Sequence, residues 1–451
     1  MTPRIRISTV NDGAVAGGGG HVLYWMNAYR RLGYNHALER AAELARELRK
    51  PLVILEALRC DYPFASPRHS SFIMDGMREH ALALRARGVA YYPYVERAPG
   101  EGKGLVAAMA RDAAVVVTDD WPCFFLPRAV AAAGAQVAVK MEKVDSAGLL
   151  PLRATDRAFP MAFGFRSWLM KNLRPHLDEL PVADPLVDLP PSIRVQGLDR
   201  WTFGVPEGPS TAGGTVAGRA RWRQYLASGV DEYADTRDAP TSKLSPYLHY
   251  GHLSSFEMMN DLRLRRRSSW DALMKPRDGK WGWHPAFVDQ LVTWREIGLN
   301  MCARRTDYRE YESLPEWARK TLEKHAGDPR AVYPDDVMER AETADPIWNA
   351  TQRQLLGEGV IDSYLRMLWG KKIPEWTPGP REALALMLRM NDQYALDGRD
   401  PNSYSGIFWV LGRYDRPWPE RPIYGMVRTM SSASTKKKLD LNDYLLRWGP
   451  S

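Results

Sequence analysis

Cysteine is scarce in this 451-residue chain: Cys60, Cys123 and Cys302 stand singly, with no CxxC pair and no histidine at metal-ligand spacing. That excludes a disulfide framework and a zinc site, predicts no bound metal, and suits a reducing cytosol or nucleus. Also missing are a basic N-terminal segment followed by an apolar run and any uncharged apolar stretch of about 18 residues. Neither secretion nor a membrane span is expected, and a soluble intracellular protein follows. There is no internal repeat, and the short basic run Lys436 to Lys438 reads as solvated. The glycines Gly17 to Gly20 precede the first candidate strand, whereas a dinucleotide loop follows one, so they read as part of a flexible leader over residues 1–20.

Aromatic residues and ordinary globular chemistry are what the chain does have. Hydrophobic residues make up 45% and charged residues 26%, values that allow a large core. Lys and Arg (62) exceed Asp and Glu (54), for a net charge of +8 that tolerates polyanions but does not by itself identify one. Of 16 tryptophans, 11 fall between Trp270 and Trp448, so the aromatic weight is C-terminal.

Residues 21–177 alternate short apolar runs with amphipathic segments, the pattern of βαβ units. Strands are predicted at Val22 to Met26, Pro51 to Leu58, Ala90 to Val95, Ala113 to Val117 and Gln136 to Val139, with helices at Asn35 to Lys50, Ser71 to Arg87 and Gly104 to Ala110. The fold class is therefore an α/β domain with a doubly wound, Rossmann-like parallel sheet. Residues 178–218 are Pro-rich and aperiodic, as a linker is. Residues 219–451 carry almost wholly helical periodicity, from Trp222 to Leu226 through Ser254 to Leu264, Phe287 to Arg304, Leu314 to His325, Thr351 to Leu356, Ile361 to Trp369 and Arg381 to Asp392. The second domain is predicted to be all-α.

Three stretches of that domain concentrate chemistry. Tyr233 to Arg237, followed by Thr241 to Gly251, puts hydroxyls and the cations Arg237 and Lys243 just before a helix, an arrangement suited to phosphate or to a plain helix cap. Gln290, Trp294 and Arg295 lie within about one helical turn, so an amide, an aromatic plane and a cation can line one pocket. Trp348 precedes the segment Tyr364 to Trp376, where Trp369 and Trp376 are about two turns apart and share a face. Such a row is core packing unless a redox cofactor lies beside it.

The motifs Ser-x-Leu-Ser-Pro-Tyr-Leu-His-Tyr-Gly, Trp-Arg-Glu, Asp-Pro-Ile-Trp-Asn-Ala, Tyr-Leu-Arg-Met-Leu-Trp-Gly-Lys-Lys, Leu-Asp-Gly-Arg-Asp-Pro-Asn and Asp-Arg-Pro-Trp resemble the photolyase/cryptochrome family, and within it the class II cyclobutane pyrimidine dimer photolyases. The resemblance runs from about Val22 to the C-terminus. It implies an antenna domain, a linker and a helical domain that binds FAD. Tyr233, Arg237, Thr241, Ser242, Lys243, Leu244 and Ser245 would then meet the phosphates and ribityl chain, and Arg295, Arg366 and Asp397 the flavin. Asn391, or else Asn402, would face flavin N5 and favour the reduced forms. Trp369, Trp348 and Trp376 match a chain that carries electrons inward from the surface.

The implied activity is light-driven repair of ultraviolet-damaged double-stranded DNA by a monomer that flips the lesion out of the duplex. Trp294 and Trp409 match the aromatic walls around the dimer, with Met367 beneath it. Arg413, Arg416, Trp418, Arg421 and Arg428 suit phosphate contacts and a wedge into the vacated duplex. A second chromophore of deazaflavin or folate type is also implied by the family, but no residue set here identifies one. One departure stands out: where the family places an acid in the pocket, this chain has Gln290, next to Asp289. An amide keeps a donor but releases no proton. Slower repair, a different photoproduct or a cryptochrome-like photoreceptor are the alternatives it opens, although the double-His signature expected of (6-4) enzymes is not evident around His249 and His252.

Overall fold

Six strands make one sheet: β1 Ile7–Thr9, β2 His21–Met26, β3 Leu52–Leu58, β4 Ala90–Val95, β5 Ala113–Asp119 and β6 Met141–Val144, in the spatial order β1-β6-β5-β2-β3-β4. All neighbours run parallel except β1, which pairs antiparallel with β6. Every residue of β2 and β5 is buried, as a parallel strand covered on both faces requires. The helix His36–Leu48 starts where the Asn35 side chain accepts from the backbone N–H groups of Ala37 and Leu38, and it buries Leu38, Ala41 and Ala45. This is a computed structural model, and it describes residues 1–192, 211–233, 241–276 and 279–449.

Residues 1–20 are not a flexible leader. β1 lies within them, and Arg6, 1% exposed, donates to Asp145 Oδ2 at 3.3 Å and to the carbonyls of Gly148 at 3.2 Å and Leu149 at 2.6 Å. The glycine run is a local feature, whereas the anchor is a contact across more than a hundred residues. The last strand also moves, from the predicted Gln136 to Val139 to Met141–Val144. Its charges Glu142 and Lys143 hid it; Glu142 is held by Arg40 at 2.9 Å and Lys140 at 3.1 Å.

Clustering of the chain by its internal contacts gives two compact units. The first comprises 1–156, 172–224 and 244–274; the second comprises 157–171, 225–243 and 275–451. The segment 244–274 carries helical periodicity, which places it in the helical domain by sequence, yet it belongs to the unit that holds the sheet. Its His252 is fully buried, stacks on Phe72 with ring centroids 5.2 Å apart and accepts from the Gly214 N–H at 3.0 Å. Much of the predicted linker, 193–210, lies outside the described residues.

The second unit is helical around a core that includes Trp348, Leu368, Met387, Met390 and Phe408. The predicted helix Phe287 to Arg304 is a composite of Pro285–Val288, a π-helical turn Asp289–Trp294 and Arg295–Arg304. Its neighbour Pro401–Val410, not predicted because Pro, Ser and Gly dilute its pattern, begins where Asp400 caps the Asn402 N–H. Gly298 makes their close approach possible: a Cβ there would lie 2.7 Å from the Pro401 carbonyl oxygen.

Removing one member of a buried ion pair costs about 3 to 5 kcal/mol, because the other charge is left uncompensated. Arg6→Met should therefore lower urea stability by roughly that amount. Burial already pushes the Asp145 carboxyl up. A carboxyl raised on folding favours the folded state more as pH falls, so the deficit should shrink between about pH 8 and about pH 5. An equal deficit at both values would contradict this.

Candidate functional site

Arg366 organises the polar heart of the second unit. It projects from the helix Ser363–Lys372 and donates through Nη1 to Asp397 Oδ2 at 2.6 Å, and through Nη2 to Asn391 Oδ1 at 2.7 Å and Ser403 Oγ at 3.1 Å. Three other segments thus meet one guanidinium: the end of the helix Pro380–Tyr394, the following turn and the start of Pro401–Val410. The turn is tight at Gly398, where a Cβ would lie 2.5 Å from the Asn391 carbonyl oxygen. Asp397 is 5% exposed, and its other oxygen, Oδ1, is buried with no hydrogen-bond partner among the described residues. An orphaned carboxylate oxygen beside a fixed guanidinium suits a ligand that offers an N–H, since buried polar atoms are otherwise met.

The two candidate asparagines differ sharply. Asn391 is 2% exposed; its Oδ1 accepts from Arg366 and from Ser403 Oγ at 2.9 Å, and its Nδ2 donates to Asp392 Oδ1 at 3.0 Å. Burial pushes the Asp392 carboxyl up while Arg309 and Arg399 pull it down. Asn402 is exposed on the first turn of its helix. Ser403 and Asp392 were not singled out in the sequence: Ser403 directly follows the Leu-Asp-Gly-Arg-Asp-Pro-Asn motif and Asp392 lies four residues before it.

Of the phosphate candidates, Thr241 donates to Asp362 Oδ1 at 2.8 Å and Lys243 to Glu358 Oε2 at 3.0 Å, so both hydroxyl and ammonium are engaged by protein carboxylates. Ser242 is half-buried. Tyr233 meets Phe287 edge-on at 5.9 Å. Leu244, buried, and Ser245 begin the helix Ser245–His249 in the first unit. Arg237 lies outside the described residues. Arg295 is buried, with Nη1 3.7 Å from Asp400 Oδ1.

The tryptophan row is a connected line. Trp348 Nε1 donates to the Trp369 carbonyl at 2.9 Å, Trp369 Nε1 donates to Gln352 Oε1 at 2.9 Å, and the Trp348 and Trp376 rings cross at 90° with centroids 5.2 Å apart. Tyr333, half-buried, continues it from Trp376 at 5.7 Å.

Trp294 and Met367 are half-buried and Gln290 is exposed, while Asp289 is taken by Arg166 in a bidentate pair at 2.7 and 2.6 Å. Trp294 meets Tyr414 at 6.5 Å; burial pushes the Tyr414 phenol up to about 12. Trp409 belongs to a separate ladder. Arg416 lies over Trp418 at 5.3 Å, Arg428 over Trp418 at 4.2 Å and over Trp409 at 5.7 Å, and Lys371 over Trp409 at 4.6 Å. Asp415 fastens it, accepting from Arg428 Nε at 2.9 Å. Arg416 and Arg421 are exposed. Arg413 is not available to a phosphate: it is 1% exposed, lies 3.7 Å from the Phe408 ring centroid, and bonds the Tyr308 carbonyl and Ser313 Oγ. Its place in an Arg-rich run hid a buried strut.

No family model matches the chain. It is 33% identical over 441 residues to the deoxyribodipyrimidine photo-lyase of Methanothermobacter thermautotrophicus, covering 95% of this chain and 94% of that one. It is 33% identical over 459 residues to the enzyme of that name from Oryza sativa, covering 95% and 87%. In fold it is similar to a class III photolyase of Agrobacterium tumefaciens, with a TM-score of 0.69 at 16% identity over 95% of this chain and 86% of that one. A cryptochrome of Synechocystis gives 0.70 at 15% identity, covering 95% and 88%.

Proposed function

The chain belongs to the photolyase/cryptochrome family, and on that premise we propose that it is a DNA photolyase of class II type, repairing cyclobutane pyrimidine dimers with FAD. The observation that carries the reading is the cluster of half-buried Arg366 with buried Asp397 and Asn391, in which Asp397 Oδ1 has no partner among the described residues. FAD, when bound and fully reduced, supplies the light-driven electron that opens the cyclobutane ring. The chain's own residues bind, orient and relay. Asp397 Oδ1 would offer the cofactor an acceptor, and Arg366 would keep the carboxylate in place. Asn391 would face flavin N5 with the Nδ2 hydrogen that Asp392 does not take, and Asn402, exposed, is the alternative.

Trp376, Trp348 and Trp369 conduct an electron inward, with the Trp369 indole N–H fixed on Gln352. Trp294 and Trp409 offer the flipped dimer its stacking surfaces, which contribute about 1 to 3 kcal/mol per base, and Met367 lines the pocket. Arg416, Arg421 and Arg428 supply charge to the duplex, and Trp418 is the wedge candidate. Gln290, exposed and neutral, donates to a dimer carbonyl. Losing a charge-assisted bond costs about 1.5 to 3 kcal/mol, but a neutral bond is kept, so the penalty should be near 1 kcal/mol, roughly fivefold in yield.

Reduced protein under blue light should repair a duplex carrying one thymine cyclobutane dimer, and Gln290→Glu should do so with higher yield. Repair of a (6-4) photoproduct alone would move the substrate. Repair of neither lesion by either protein would favour a photoreceptor and contradict the proposal.

The relay has its own test. Trp369→Phe should suppress blue-light reduction of bound FAD with an external reductant present, while leaving repair by chemically reduced protein intact. Reduction at the wild-type rate would remove Trp369 from the path.

A further inference from the structure

Lys371 is buried completely, yet among the described residues its ammonium has no carboxylate as a hydrogen-bond partner. Nζ has one hydrogen-bond partner among the described residues, the Val410 carbonyl at 2.6 Å, and otherwise lies over the Trp409 ring at 4.6 Å. A methionine would fill such a volume without desolvating a charge, so a lysine here needs a reason beyond packing. It is the inner end of the ladder Arg416, Trp418, Arg428, Trp409, Lys371. Trp409 is thus the one indole of that ladder gripped by both a half-exposed cation and a buried one.

We propose that Lys371 is a positioning residue for lesion recognition, its ammonium holding the Trp409 ring in the pose that stacks on a flipped pyrimidine dimer. The inference rests on the reading of Trp409 as a wall of the lesion pocket. The charged groups around Lys371 are few. Asp415, in the loop after the helix Pro401–Val410, raises its proton affinity and Arg428 lowers it. Tyr424 bonds the Lys371 carbonyl and, at 3.0 Å, Glu375 Oε1, so that carboxylate is engaged by the phenol.

Burial brings the Lys371 ammonium down to about 7. Below that value the cation holds the ring; as pH rises through it the charge is lost and with it the cation–π attraction. Undamaged duplex is bound through phosphate contacts that do not need Trp409. The grip therefore reads out in the ratio of affinities for damaged and undamaged DNA, from which phosphate contacts cancel.

The test uses FAD-loaded protein in the dark, with a labelled duplex carrying one thymine cyclobutane dimer and its undamaged twin, at constant salt from about pH 6 to about pH 9. The wild-type preference for damage should fall about threefold to tenfold across that range, the size of a partly desolvated cation–π contact. Lys371→Met should show a low preference that is flat with pH, and Lys371→Arg, charged throughout, should keep a high one. A wild-type preference that is present but flat, or a Lys371→Met preference that falls in parallel with wild type, overturns the role of Lys371. No preference at any pH refutes lesion recognition itself, and the inference with it. Should Lys371→Met fail to fold, the wild-type profile and Lys371→Arg still decide.

Discussion

The guanidinium of Arg366 is the constraint on which the second unit's site depends. A planar cation with donors in a fixed fork can satisfy a carboxylate, an amide and a hydroxyl together only if the segments bearing them arrive at set positions. Asp397, Asn391 and Ser403 do so, from a turn and two helices. Asn391 is then locked from its other end by Asp392, whose second oxygen accepts from Tyr404 at 3.2 Å and Arg309 at 3.4 Å. Among the described residues the network leaves one oxygen of Asp397 without a partner.

The helix Ser363–Lys372 distributes the remaining roles through its period. Successive residues turn by about 100°, so Arg366, Met367 and Trp369 face different surroundings, while Met367 and Lys371, four apart, share a face. Arg366 reaches the polar network, Met367 stays half-buried, Trp369 enters the core against Trp348 and Lys371 reaches Trp409. On the proposed reading, cofactor binding, electron relay and lesion stacking are tied to one rigid element, and a rotation of that helix would disturb all of them together.

The parts legible in the sequence were those written in local pattern. The βαβ alternation follows from spacing, whereas the shared helix face expected for Trp369 and Trp376 does not form, because the helix Ser363–Lys372 ends before Trp376, whose ring pairs with Trp348 instead. What sequence reading misplaced was decided by distant partners. Arg6 reaches Asp145, Arg413 is buried under Phe408 and Ser313, and segment 244–274 packs with the sheet through His252. No periodicity reports which distant surface a helix will cover. The π-helical turn Asp289–Trp294 and the cation ladder through Trp409 were equally invisible, since one is a change of hydrogen-bond register and the other joins four separate stretches. The two asparagines differ in what no spacing reports: Asn391 is buried in the Arg366 network and Asn402 is exposed.

The central claim is that Arg366 and Asp397 act as one unit in holding the flavin, and a double-mutant cycle on FAD affinity measures it most directly. FAD would be titrated into apoprotein for wild type, Arg366→Gln, Asp397→Asn and the double variant. The account predicts that each single change weakens binding and that the double variant loses little more than either, a coupling of about 1 to 3 kcal/mol. Additive losses, or wild-type affinity in all three variants, would contradict it.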